Sequence, residues 1–560
     1  MEARAHTGVI ERARAAGPGT LLFAAALLVS AGALIHWLSA LTFWRDEWAF
    51  ILDRRGSGLD VYLTPFVEQL LAIPLAIYKL LIAVFGIESP LPFQLAHVVV
   101  YAATMVVVFV YVRRRVGEWL ALAALLPILF LGPSWDDLLF PFQISLVIAL
   151  GCGVGALLAL DRPSRAGDVA AAVLLTIGLF CQHVAIPFAL AATIDIAFTR
   201  ERFRRAWVIA IPAALWMVWY LGWGRDAQNF VSFHNFETLI GYVGDGLSSS
   251  LSTLLGLAVP RDEMSLSPLD WGRPLLLVAI AFGIWRVARA GIGAMPRRLW
   301  AVIAAQLSFW TLTGLNASFF GQATSGRYQL VGVVLWVMIG AELLRGVRVS
   351  RFAVATVVAV AALAALANFS LLRDEAHGLA GIAEQQKGGL AALELTREEV
   401  APDYVLTEQN SGVDYLGIVD AASYFSAIDA FGSPAYTPAE LLDAPEAARV
   451  SADTVFASAL ALQPRTVPLD TPAGACEPFD LDPGPAVAEA PPGGAVVRPA
   501  RGAAATVRMR RYASASFPVN AGRVGGGDAE LIEIPADQSP QPWQLQLDGR
   551  GVVEICAPAS

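Results

Sequence analysis

A short set of ionisable residues stands at the ends of long apolar runs. Asp46 and Glu47 lie in Phe43-Trp44-Arg45-Asp46-Glu47-Trp48, just past the first such run. Glu68 comes shortly before Pro74. Asp136 and Asp137 follow Trp135, His183 separates two apolar runs, Arg225 precedes Asp226 and His234, and Arg327-Tyr328 opens a later run. A carboxylate can take the proton from an acceptor hydroxyl, and Asp46 is the candidate base, with Glu47 beside it. A second carboxylate, Glu47 or Asp137, would orient the acceptor or hold a divalent cation through oxygen ligands. Glu68, Asp136 and His183 are further candidates for that support. Arg327, with Tyr328 and Arg225, would bind the phosphate of a donor, because a guanidinium offers paired donors to phosphate oxygens.

Each residue also has a purely structural reading. Tryptophan and arginine at a span end form an anchoring belt. Glu68 can face water on a helix, Asp136-Asp137 can cap a turn, His183 can be a satisfied core histidine, and Arg327 can snorkel to the surface. Two adjacent acids at a lipid boundary are costly and do nothing for anchoring, so they favour a functional reading.

These residues must be positioned by membrane helices. The chain has 560 residues, 56% hydrophobic and 16% charged, the composition of a polytopic membrane protein. Spans are expected near 20–43, 91–112, 117–132, 141–160, 169–182, 184–199, 205–223, 273–289, 299–317, 328–345 and 352–372. About eleven spans put the N-terminus in the cytoplasm and the C-terminus outside the plasma membrane. Arginine supports that order. The loops assigned inside hold Arg4, Arg12, Arg14, Arg113–Arg115, Arg162, Arg165, Arg200, Arg202, Arg204, Arg205, Arg286, Arg289, Arg297, Arg298, Arg345, Arg348 and Arg351. All the candidate site residues then fall on the outer side at one depth. Counting 66–87 or 237–259 as spans would invert the pattern. The first is therefore expected as an amphipathic outer-surface helix broken by Pro74, and the second as a surface or partly inserted helix interrupted by Asp245 and a serine run. Runs 169–182 and 184–199 are short and should meet at His183. Asp195, near the inner end of the second, should be paired.

Domain boundaries are expected at 1–372 for the membrane part, 373–482 for an extracytoplasmic helical segment, 483–494 for a Pro/Gly linker and 495–560 for a small antiparallel β-sandwich. Beyond residue 372 the chain holds 26 acidic and 12 basic residues, against 22 and 27 before it. An acidic tail on a mildly basic membrane part argues against nucleic acid. Cys152 and Cys181 read as small core residues. Cys476 and Cys556 can pair if the tail is extracytoplasmic. No Cys/His spacing suggests a zinc site.

An acidic pair after the first span, interfacial segments, many spans and a soluble C-terminal domain together resemble the GT-C membrane glycosyltransferases. That superfamily includes protein O-mannosyltransferases, oligosaccharyltransferases and aminoarabinose transferases. The resemblance covers about residues 20–345 and places Asp46-Glu47 on the family's first-loop Asp-Glu motif. Glu68…Pro74 and Trp135-Asp136-Asp137…Pro141-Phe142-Gln143 match two further motifs, while Gln69 stands where histidine is expected. The resemblance implies transfer of a sugar, with inversion, from a polyprenyl-phosphate donor in the membrane lipid to an extracytoplasmic glycan, lipid or protein. A lipid-linked glycan transporter and a non-catalytic assembly protein with a degenerate GT-C fold are the rival readings.

Overall fold

The computed structural model describes residues 17–228, 230–262, 265–267, 269–316 and 321–559. Arg4, Arg12 and Arg14 lie outside the described residues. The described chain is mainly α-helical up to residue 459 and β-stranded from residue 465. It divides into two compact units. The first comprises residues 1–39, 56–80 and 91–377, and the second residues 40–55, 81–90 and 378–560.

The first unit is a helical bundle. A helix lies at each of the eleven expected spans. Among the described residues six are long and apolar enough to cross a membrane: Pro18–Leu38, Leu91–Val116, Pro141–Ala159, Arg202–Gly222, Leu269–Ala290 and Arg351–Leu395. The pair Glu118–Phe130 and Gly132–Leu139 makes a seventh if its 54° bend is read as a broken span. The helices Arg165–Leu179 and Ala185–Ala197 meet at the turn that carries His183.

Two helices differ from expectation. Phe66 and Gln69 pair as a short β-bridge, and a helix then runs from Ala72 to Phe85. Pro74 sits in its first turn, where a missing N–H costs nothing, so it does not break the helix. The helix is not amphipathic: Leu75, Tyr78 and Ile82 are buried, and the exposed side chains, among them Leu80, Val84 and Phe85, are apolar too. An apolar outer face suits lipid better than water.

The second is Phe233–Leu254, one unbroken helix through Asp245 and the serines. Asp245 pairs with Arg273 at 2.9 Å. Ser248, Ser249, Ser250 and Ser252 are buried, not solvated. Ser248 Oγ donates to the Gly244 carbonyl at 2.7 Å and Ser250 Oγ to the Gly246 carbonyl at 2.8 Å. The hydroxyls of Ser248 and Ser250 thus satisfy themselves within their own helix. Small residues then let neighbours approach closely: a Cβ on Gly246 would lie 2.2 Å from the Trp310 ring.

The second unit is discontinuous in sequence. Asp46–Leu52 forms a short helix within it. Trp48, fully buried, lies edge-on to Tyr424 at 5.8 Å, and Tyr424 donates to Glu394 at 2.7 Å. The boundary at 372 is therefore corrected. The Arg351–Leu395 helix continues unbroken past it, and Asp46-Glu47 belongs with the C-terminal tail.

The tail carries nine strands, here numbered in chain order: β1 Arg465–Pro468, β2 Ala473–Asp480, β3 Ala486–Glu489, β4 Gly494–Pro499, β5 Ala504–Arg510, β6 Val519–Val524, β7 Asp528–Glu533, β8 Gln544–Arg550 and β9 Val552–Pro558. They form two antiparallel sheets, ordered β3-β8-β5-β6 and β1-β7-β4-β9-β2. Residues 483–494 are not a linker, because β3 lies inside that stretch and pairs with β8. Its prolines and glycines fill the flanking turns. The β region likewise starts at Arg465, within the segment expected to be helical. Val507 and Met509 point inward on β5, as their alternation predicts. Cys476 and Cys556 face each other across β2 and β9 and are disulfide-bonded. Cys152 and Cys181 remain free thiols. Asp453 joins the helix Glu446–Ala459 to the strands by accepting from the Arg511, Tyr512 and Ala513 amides at 2.8–3.0 Å.

Candidate active site

Within the helical unit, the short Trp135–Leu139 helix and the turn before it seat against the first turn of the Gly326–Leu343 helix. Ser134 Oγ donates to the Gly326 carbonyl at 3.1 Å. A Cβ on Gly326 would lie 2.7 Å from the Pro133 carbonyl and 3.4 Å from Asp136 Oδ2, so only glycine allows this approach. The next residue is Arg327, and its charge acts on Asp137, Glu68, Tyr328 and Tyr242. Five expected site residues, Glu68, Asp136, Asp137, Arg327 and Tyr328, thus meet at one end of the bundle.

Asp137 is fully buried. Ser134 Oγ reaches its Oδ2 at 3.4 Å, and its Oδ1 has no hydrogen-bond donor among the described residues. Glu68 is half-buried, and Gln69, in the position where histidine was expected, donates to its Oε1 at 2.9 Å. Its Oε2 has no partner among the described residues. Burial pushes the Glu68 carboxyl above its ordinary value, against the Gln69 hydrogen bond and the Arg327 charge, which pull it down. The residue before it, Val67, has φ +55°. A β-branched residue rarely takes that conformation, and such strain collects at functional sites.

The same device recurs in the second unit. Arg45, the residue before the acidic pair, has φ +42°. Its guanidinium pairs with Asp414 at 3.0 Å and lies over the Trp44 ring. Glu47 is buried and accepts from the Trp44 amide at 3.0 Å, closing its own turn. Asp46 is half-buried at the start of the helix.

Two expected residues have other surroundings. His183 packs against the rings of Trp216 and Trp219. Arg225 is 67% exposed and lies 4.0 Å from its neighbour Asp226. As to a cation, the one set of three His, Cys, Asp or Glu ligands within mutual reach among the described residues is Cys476, Glu554 and Cys556, and the disulfide occupies both sulfurs. Among the described residues the carboxylates around Arg327 do not form such a set.

Sequence reasoning missed Ser134, Tyr242 and Glu375, whose charge adds to that of Asp136 around the loop. Ser134 directly precedes the Trp-Asp-Asp motif. Tyr242 lies in the segment taken for a surface helix. Glu375 had no local signal.

Neither a protein-family model nor a curated protein matches the chain. Among the solved structures that resemble it are two membrane-protein structures. One is ArnT from Cupriavidus metallidurans bound to undecaprenyl phosphate, 13% identical, covering 69% of this chain and 82% of that one with a TM-score of 0.45. The other is the arabinosyltransferase EmbB from Mycobacterium smegmatis, 13% identical, covering 95% of this chain and 64% of that one with a TM-score of 0.34. The chain thus spans just under two thirds of EmbB.

Proposed function

We propose that the protein is a membrane glycosyltransferase of GT-C type that uses a polyprenyl-phosphate sugar as donor. The observation that carries this reading is Arg327 in the first turn of a helix, with Glu68 and Asp137 within electrostatic reach. A helix N-terminus and a guanidinium both favour a phosphate. Buried carboxylates with unused oxygens suit a polar acceptor.

In the reaction the acceptor hydroxyl oxygen attacks the anomeric carbon from the face opposite the phosphate. The bond from that carbon to the phosphate oxygen breaks, and the electron pair leaves with polyprenyl phosphate. Asp46 takes the hydroxyl proton as general base. Glu47 accepts from the Trp44 amide and so supports the turn that carries Asp46. Asp137 and Glu68 orient the acceptor, and Arg327 stabilises the charge growing on the leaving phosphate. One-step displacement inverts the anomeric centre. The Asp-Glu pair and the C-terminal tail both face the extracytoplasmic side in this reading.

The test uses purified full-length protein with a panel of polyprenyl-phosphate sugars, following release of polyprenyl phosphate. Release from one donor, abolished by Asp46→Asn, is expected. Wild-type rates in Asp46→Asn would remove the mechanism. No release from any donor, with lipid-linked glycan still bound tightly, would favour a transporter or an assembly protein.

A further inference from the structure

The Gly326–Leu343 helix has a second charged centre at its other end. Glu342 lies 15 residues after Arg327, about 22 Å along the axis. It is fully buried and accepts from Tyr111 at 2.8 Å and from Arg115. Arg115 also reaches Asp161 at 3.1 Å. Arg298 reaches Asp195 at 2.6 Å and Asp161 at 3.4 Å, and donates to the Leu157 carbonyl. A cavity of about 570 Å³ opens over this network.

Charge does not balance there. Six arginines line the cavity: Arg114, Arg115, Arg162, Arg297, Arg298 and Arg345. Facing them are Asp161, Asp195 and, beneath, Glu342. Arg297 shares Asp195 with Arg298, and Arg345 stands 3.8 Å from Glu342. Arg114 and Arg162 are exposed at the rim, and neither has a carboxylate partner among the described residues. Arg298 is buried, yet its Nε has no acceptor among the described residues. Three positive charges are therefore in excess around a concave space, and one buried N–H awaits an acceptor. A buried donor left unmade is costly, so an oxygen ligand is favoured there.

We infer that this cavity binds a phosphate-bearing anion, at the opposite end of the helix from Arg327. Guanidinium groups are the preferred partners of phosphate oxygens. Basic cavities between helices at the arginine-rich end of a membrane bundle take anionic headgroups. The shared chemistry also fits a soluble phosphate compound, and the experiment separates the two.

Purified full-length protein in a neutral detergent is titrated with dioctanoyl phosphatidylglycerol, with dioctanoyl phosphatidylcholine as the zwitterionic, net-neutral control, and separately with inorganic pyrophosphate. Native mass spectrometry reads the bound species. The test variant is Arg114→Gln with Arg162→Gln, both exposed, and Arg162→Gln alone serves if the pair folds poorly. Arg204→Gln, 84% exposed and outside this cavity, controls for general surface charge. Phosphatidylglycerol binding that the double variant weakens about 10–30-fold, with Arg204→Gln unchanged, supports the inference and a lipid source. Pyrophosphate binding with the same dependence on the variants, without lipid preference, supports it with a soluble source. Equal binding by wild type and double variant, or no preference for either anion over the control, overturns it.

Discussion

Asp195 and Asp137 are both buried carboxylates in the same helical unit, and their surroundings differ in kind. Asp195 has both oxygens held by guanidinium groups, Oδ1 by Arg297 at 2.9 Å and Oδ2 by Arg298 at 2.6 Å. Asp137 has a long contact from Ser134 and an oxygen with no donor among the described residues. Arg327 is near it electrostatically. A charge that is fully matched holds helices together. A charge left partly unmatched stores hydrogen-bonding capacity for something that arrives later. Burial alone does not distinguish the two, and the partner list does.

The contrast can be broken by substitution. Asp195→Ala leaves the buried Arg298 without its nearest carboxylate, with an expected loss of about 3–5 kcal/mol. Unfolding in detergent, followed by tryptophan fluorescence, measures it. Asp137→Asn should leave stability within about 1 kcal/mol, because no ion pair of that quality is lost. Equal losses for the two would end the distinction.

Arg327→Gln should lower polyprenyl-phosphate release by about 10²–10³-fold while the unfolding transition stays in place. Lysine at that position restores charge without the paired donors, so only part of the rate should return. A large stability loss with ordinary turnover per folded molecule would make Arg327 structural, like Arg298.

The smallest effect concerns Glu68. Burial raises its pKa, so a reaction that needs its carboxylate is lost as pH falls through a value above the ordinary 4.5. Gln69 donates to the charged form and so holds that value down. Gln69→Leu should move the acid limb of the rate profile upward by less than about one unit. A downward shift, or none, would separate Glu68 from the reaction.

Much of this was legible in the sequence, for a physical reason. Hydrophobic runs and arginine placement report the solvent that each segment meets, and that is local information. So the helices, the turn at His183 and the meeting of Glu68, Asp136, Asp137, Arg327 and Tyr328 could be read. Asp195 was expected to be paired, but nothing local showed that its partners lie more than a hundred residues away. The serines of Phe233–Leu254 misled because a hydroxyl that bonds within its own helix is no longer polar toward its surroundings. The strand at Ala486–Glu489 was hidden by flanking prolines and glycines. The strained Arg45 and Val67 left no trace, since strain is imposed by contacts distant in sequence. The assignment of residues 40–55 to the second unit was hidden for the same reason.

That last feature bears on biosynthesis. Residues 40–55 are made roughly 320 residues before the 378–560 portion with which they form one unit. At ribosomal speeds this is a delay of roughly 15–65 s. The Asp46–Leu52 segment must wait through the insertion of nearly every span before Tyr424 exists to cover Trp48. A chain that terminates early would therefore carry the acidic pair unsupported, and a tail expressed alone would lack its own first piece. The second unit is thereby tied to synthesis of both of its distant pieces, and neither piece alone can complete it.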